Sequence, residues 1–239
     1  MSPFDHVRSN LHAVRARLES AARAAGRDPA GITLIAVSKT FPVEAVLAAH
    51  EAGQLDFGEN RVQEALQKLE TTSSTKIRWH LIGHLQSNKA KKAAASFPWI
   101  HSVDSLDLLR RLDRAAAEAG TAPDLLVQAD LAGEDSKFGA AEAAVAAMVR
   151  EPVSAARIRG LMILPPYAEN PEDVRPWFRR LAALRDRLLQ DGVSPDRLQE
   201  LSMGMSHDFE VAVQEGSTMV RVGTAIFGER RPAAGTENG

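Results

Sequence analysis

Lys39 closes the run Ile32-Thr33-Leu34-Ile35-Ala36-Val37-Ser38-Lys39, and an amine at the end of an apolar strand is a candidate nucleophile. Strand alternation places Ile35, Val37 and Lys39 on one face. Apolar neighbours disfavour the ammonium form, and the neutral amine is the species that condenses with an aldehyde to an imine. Taken alone, Lys39 reads first as a surface lysine at a strand end. Two turns, Leu201-Ser202-Met203-Gly204-Met205-Ser206 and Gly223-Thr224-Ala225-Ile226-Phe227-Gly228, run toward helix starts. Exposed N–H groups there, with hydroxyls beside them and no bulk at glycine, make an anion cradle, although one such turn is ordinary strand-to-helix capping. Arg221 lies in the apolar strand Met219-Val220-Arg221-Val222-Gly223, where it needs a partner or a wet cavity. A carboxylate, Glu59 or Glu200, would meet that need. So would the ring nitrogen of a phosphorylated pyridine lying across a barrel mouth, which a cation keeps unprotonated. The residues alone leave both open.

The elements that must position these groups come from eight apolar, β-branched runs: Ile32–Lys39, Leu55–Asn60, Ile77–Gly83, Trp99–Asp104, Asp124–Asp130, Arg157–Leu164, Leu198–Gly204 and Thr218–Gly223. Helical periodicity fills the intervals, and Gly53, Gly120, Gly192 and Gly216 stand where left-handed helix caps belong. Phe4, Val7, Leu11, Val14 and Leu18 predict a leading amphipathic helix that stops before Gly26. Alternating strand and helix means an α/β protein. Eight units favour a closed (β/α)8 TIM-like barrel with an additional N-terminal helix over an open sheet, because closure leaves no exposed edge. Residues 1–230 read as one barrel domain and 231–239, small, polar and aperiodic, as a disordered tail. In such barrels the site lies at the C-terminal strand ends, with phosphate commonly held by the loops after strands seven and eight. Lys39 and both turns fall there.

Composition narrows the function classes. The chain has 239 residues, 44% of them hydrophobic, and a formal net charge of −2. That balance provides no basic field for nucleic acid or an anionic membrane surface. With no cysteine, disulfides, thiolate metal sites and cysteine nucleophiles are excluded. Asp5, His6 and Arg8 interrupt the first ten residues, so no signal peptide is read there, no run approaches a membrane span, and a cytoplasmic protein is expected. His80 and His84 are four apart on a strand followed by a turn, which separates them and predicts no metal site. His80 is expected at the barrel mouth and His207 beside the phosphate loop. Lys89, Lys91 and Lys92 read as a solvated helix face.

The strings Ala36-Val37-Ser38-Lys39-Thr40, Phe57-Gly58-Glu59-Asn60, Trp79-His80-Leu81-Ile82-Gly83, Leu85-Gln86-Ser87-Asn88-Lys89, Leu201 to Ser206 and Val220 to Gly228 together resemble the pyridoxal phosphate homeostasis protein family. The resemblance runs in order from about Ile32 to Gly228. It implies a fold-type III barrel related to the N-terminal domain of alanine racemases, with pyridoxal 5′-phosphate as cofactor and Lys39 as the Schiff-base lysine. It further implies that Ser202, Gly223 and Thr224 hold the phosphate, that Arg221 meets the pyridine nitrogen and that Asn60 lies near the ring. Members of that family are regarded as carriers or regulators of the free cofactor, affecting amino-acid and keto-acid balance. Many relatives carry a second lysine two positions after the first, where this chain has Phe41. Lys137 matches another recurrent family lysine and is an auxiliary contact or a solvated loop residue.

Two other functions fit parts of the pattern. An amino-acid racemase needs acid/base groups on both faces of a planar intermediate; Lys39 serves one, and Tyr167 is the chain's only tyrosine. In alanine racemases the opposite base is a tyrosine brought by a partner's extra β-domain, for which this chain leaves no residues. A phosphate-binding barrel enzyme without pyridoxal phosphate would use Lys39 as an aldolase-like amine or a charge. The expectation carried forward is a monomeric carrier that buffers the cofactor or passes it transiently to apoenzymes.

Overall fold

Alternating apolar residues pair eight parallel strands edge to edge until the last meets the first. The computed structural model describes residues 4–133 and 138–229. Its strands are β1 (Thr33–Val37), β2 (Asp56–Glu59), β3 (Arg78–Leu81), β4 (Trp99–Val103), β5 (Asp124–Ala129), β6 (Arg157–Ile163), β7 (Glu200–Met205) and β8 (Met219–Val222). They close in sequence order into one barrel. The helices are α1 (Asp5–Ala24), α2 (Val43–Glu51), α3 (Val62–Thr71), α4 (Ala90–Ser96), α5 (Leu106–Ala119), α6 (Glu142–Arg150), α7 (Arg175–Gln190), α8 (Phe209–Gln214) and α9 (Thr224–Phe227). All eight expected strands form, with ends within two residues of those expected and β7 reaching one residue farther, to Met205, and the TIM-like α/β barrel with its extra N-terminal helix is the architecture found.

Two apolar layers hold it. Outward residues of the strands, among them Phe57, Leu81, Ile100 and Leu125, pack against the helices. Inward residues Ile35, Leu126, Met162 and Met219 form a separate cluster inside the barrel with Trp99 against it. Helix α1 buries Val7, Leu11, Val14 and Leu18, each contributing roughly 1.5–3 kcal/mol, and packs on α2, α8 and α9. It also binds the last turn directly: Asn10 donates to the Ile226 carbonyl at 3.0 Å. The first helix thus braces the loop that follows β8. Among the described residues no helix is long and apolar enough to cross a membrane. The expected tail, 231–239, and Lys137 lie outside the described residues.

Candidate functional site

Register brings the candidate residues to one end of the barrel. Ile35 lies opposite Arg221 and Ala36 opposite Val222 across the β1–β8 pair, while Val37 lies opposite Gly58 on β2. The loops bearing Lys39, Asn60 and Gly223–Thr224 are therefore neighbours at the C-terminal mouth. Their approach is close: a Cβ on Gly223 would sit 3.3 Å from the Val37 carbonyl, and one on Gly83 would sit 2.3 Å from the Asn60 carbonyl. Only glycine lets these chains come so near.

Lys39 is half-buried in the turn after β1, and the next residue, Thr40, has φ 70°. A β-branched residue in left-handed conformation is strained, a feature that clusters at functional sites. The peptide before Lys39 is held from below. Ser38 is fully buried; its N–H donates to the Gly58 carbonyl at 3.0 Å and its hydroxyl to Glu59 at 2.7 Å. Lys68 from α3 donates to the Ser38 carbonyl at 2.8 Å and pairs with Glu59 at 2.5 Å. Phe41 packs its ring 5.2 Å from that of Phe227 in α9, tying the first and last mouth loops together.

Arg221 is 3% exposed, and neither carboxylate named from the sequence reaches it. Glu59 is taken by Lys68, and Glu200 accepts from the Thr218 hydroxyl at 2.6 Å. Instead Arg221 donates to the Ile163 carbonyl at 2.9 Å and the Ser202 hydroxyl at 2.5 Å. Burial pulls its pKa down to about 10, against the more distant attraction of Asp208, which leaves it a cation at neutral pH. A buried cation held by neutral groups is an arrangement in search of an electron-rich partner.

Three of the sequence candidates lie in surroundings that spacing alone does not reveal. Ser202 is fully buried, and its hydroxyl lies between Arg221 and His101, 2.9 Å from the His101 Nδ1. It sits inside the barrel. The serine beside the cradle is Ser206, whose hydroxyl accepts from the N–H of Gly223 at 3.0 Å and of Ala225 at 3.4 Å. The signal that separates them is Gly204, whose φ of 94° turns the end of β7, so that only residues beyond it reach the loop. His80, expected at the mouth, is 1% exposed and bonds Asp56 and His101. His207, expected in the phosphate loop, is exposed and bonds the Glu169 carbonyl at 2.9 Å. Sequence inspection also passed over Asp56 and His101, a carboxylate opening one strand and an imidazole within another.

A family model for the alanine racemase N-terminal domain matches residues 9–231. The pyridoxal phosphate homeostasis protein of Pseudomonas aeruginosa is 44% identical over 94% of this chain and 96% of its own. PipY of Synechococcus elongatus, solved with PLP bound, is 41% identical with a TM-score of 0.78, covering 89% of this chain and all of that one. An alanine racemase from Streptomyces lavendulae, at 22% identity and a TM-score of 0.64, shares the fold over 94% of this chain and 57% of its own.

Proposed function

The chain belongs to the alanine racemase N-terminal domain family and, within it, to the pyridoxal phosphate homeostasis proteins, and from that premise we propose that it holds pyridoxal 5′-phosphate on Lys39 and buffers or delivers it. The observation that carries this is the convergence at one mouth of an amine, a glycine-opened anion cradle and a buried arginine that hydrogen-bonds the neutral oxygens of Ser202 and Ile163. The donor set fits the cofactor's three handles. When bound, pyridoxal 5′-phosphate supplies an aldehyde that condenses with an amine and a ring that withdraws electrons from it.

In this assignment the N–H groups of Gly223 and Ala225, now capped by the Ser206 hydroxyl, and the exposed Thr224 at the start of α9 bind the phosphate. Arg221 donates to the ring nitrogen, and Asn60 flanks the ring from the β2 loop. Lys39 is oriented by the Ser38 peptide, which Lys68 and Glu59 clamp. An arginine at the ring nitrogen holds that atom unprotonated, which weakens proton loss from a bound amino acid and favours storage over turnover. Tyr167, the one tyrosine, is 80% exposed with its ring tilted against that of His207, which does not favour it as an ordered second base. Recipients of the cofactor would be apoenzymes meeting the open mouth. The site's assembly from a single chain supports a monomer.

The test is the visible and near-ultraviolet spectrum of the purified protein beside Lys39→Ala, before and after borohydride. A yellow wild type reducible to a stable adduct, a colourless variant and no racemisation of common amino acids are expected. A wild type that stays colourless after added cofactor would leave a phosphate-binding barrel of another chemistry. Racemisation at ordinary enzymatic rates would make the protein an enzyme.

A further inference from the structure

Six polar side chains from five strands form one unbroken file through the apolar interior of the barrel. At the floor Arg78 donates twice to Asp56, at 2.7 and 2.5 Å. Asp56 Oδ1 lies 3.0 Å from His80 Nε2, His80 Nδ1 lies 2.9 Å from His101 Nε2, and His101 Nδ1 lies 2.9 Å from the Ser202 hydroxyl, which accepts from Arg221 near the mouth. His80, His101, Ser202 and Arg221 are each at most 3% exposed. Trp99 stacks on His80 at 5.7 Å and meets His101 edge-on, sealing the pair.

The protons in this file follow from one end. A carboxylate only accepts, so His80 carries its hydrogen on Nε2. Two buried imidazoles meeting nitrogen to nitrogen need one bare nitrogen between them. Burial holds both rings neutral: at His80 it outweighs the hydrogen bond donated to Asp56, and at His101 the proximity of His80 and Arg221 adds to it. His80 Nδ1 is therefore the bare atom and His101 donates from Nε2. That leaves His101 Nδ1 to accept the Ser202 hydroxyl hydrogen, and the Ser202 oxygen to accept from Arg221. Every donor finds one acceptor, and the whole file is polarised in one direction by the Asp56 charge.

We propose that Asp56, His80, His101 and Ser202 are positioning residues that set the hydrogen-bonding state of Arg221 toward the cofactor's ring nitrogen, making the Arg78–Asp56 pair on the barrel floor a remote determinant of how that nitrogen is held. This rests on the assignment of Arg221 to the ring nitrogen. Replacing Asp56 by asparagine removes the charge that fixes the sense of the file. Both histidine tautomers can then invert, and Ser202 receives hydrogens from two sides.

The experiment compares binding of pyridoxal 5′-phosphate with that of its carbon analogue, in which CH replaces the ring nitrogen, to wild type, Asp56→Asn and His101→Gln. Imidazole nitrogen NMR is recorded on the same proteins. Wild type should show both histidines protonated on Nε2 and prefer the natural cofactor. The variants should bind the natural cofactor about three- to tenfold more weakly and the analogue as wild type does. A wild type that binds both ligands equally removes the Arg221 assignment. A wild type that discriminates while both variants retain full discrimination overturns the relay alone. Equal losses for both ligands would mean that these residues serve only the fold, and Nδ1-protonated rings in wild type would refute the polarity deduced here.

Discussion

At the scale of single residues, the floor beneath Lys39 is the most exposed to change. Glu59 is fully buried and its Oε2 is, among the described residues, the one buried side-chain atom without a hydrogen-bond partner. Its other oxygen takes both the Ser38 hydroxyl and Lys68. Lys68→Met fills the same space but strands the carboxylate, and removing one member of a buried pair costs about 3–5 kcal/mol. Chemical denaturation should show that loss, whereas the double change Lys68→Met with Glu59→Gln should recover most of it; equal stability of wild type and single variant would show that the pair contributes nothing. None of this was legible in the sequence, where Lys68 belongs to an amphipathic helix and Glu59 looked available to Arg221. The pairing depends on α3 folding back over β2, a contact that spacing along the chain does not encode. The same holds for Ser202 and Ser206. Composition marks both as hydroxyls in a turn, but only the turn's geometry decides which one faces the cradle.

At the scale of elements, most of the fold could be read, because parallel strands buried on both faces appear as continuous apolar runs and their helices carry their own period. The four glycines expected to cap helices have positive φ, as at Gly120 after α5, where φ is 65°. What could not be read is where strands slip. Leu125 pairs with Ile158 but Leu126 with Gly160, so Arg159 is an extra residue on β6, free to reach Asp124 at 2.9 Å. Such a bulge sharpens the local twist, and just beyond it Gly160 packs so tightly on β7 that an added Cβ would lie 1.9 Å from the Glu200 carbonyl. Gly160→Ala must therefore push β6 and β7 apart and should cost at least about 3 kcal/mol. Gly120→Ala, with open space around it, should cost only about 1 kcal/mol for its left-handed backbone. Urea titration of the two variants separates backbone collision from cap strain, and comparable midpoints would show that the β6–β7 seam yields readily.

At the scale of the whole molecule, a barrel normally fills its interior with apolar layers, and here part of that volume holds two neutral imidazoles. No periodicity announces this, since His101 and Ser202 meet across the barrel from strands three apart. The consequence is a stability that depends on pH. Burial holds the folded-state pKa of His80, and further that of His101, below the ordinary histidine value. Between that ordinary value, about 6.5, and the lower folded ones the unfolded chain binds more protons. Stability is therefore full above about pH 6.5 and falls on acidification, by up to about 1.4 kcal/mol per pH unit for each ring. Asp56 adds a later loss: burial pushes its carboxyl up, but hydrogen bonds from His80 and Arg78 prevail and hold it low, so its contribution disappears only as the pH drops below about 4. Asp208, which burial raises, gains stability from protonation in the carboxylate range and partly offsets Asp56 there. Unfolding free energies measured from pH 7 to 5 should thus fall as the pH drops below about 6.5, and His101→Gln should make that fall shallower. A flat profile in wild type would mean that the two rings take up protons inside the barrel as readily as in the unfolded chain, and once charged they could no longer carry the single direction of hydrogen bonds that the Asp56 charge sets up to Arg221.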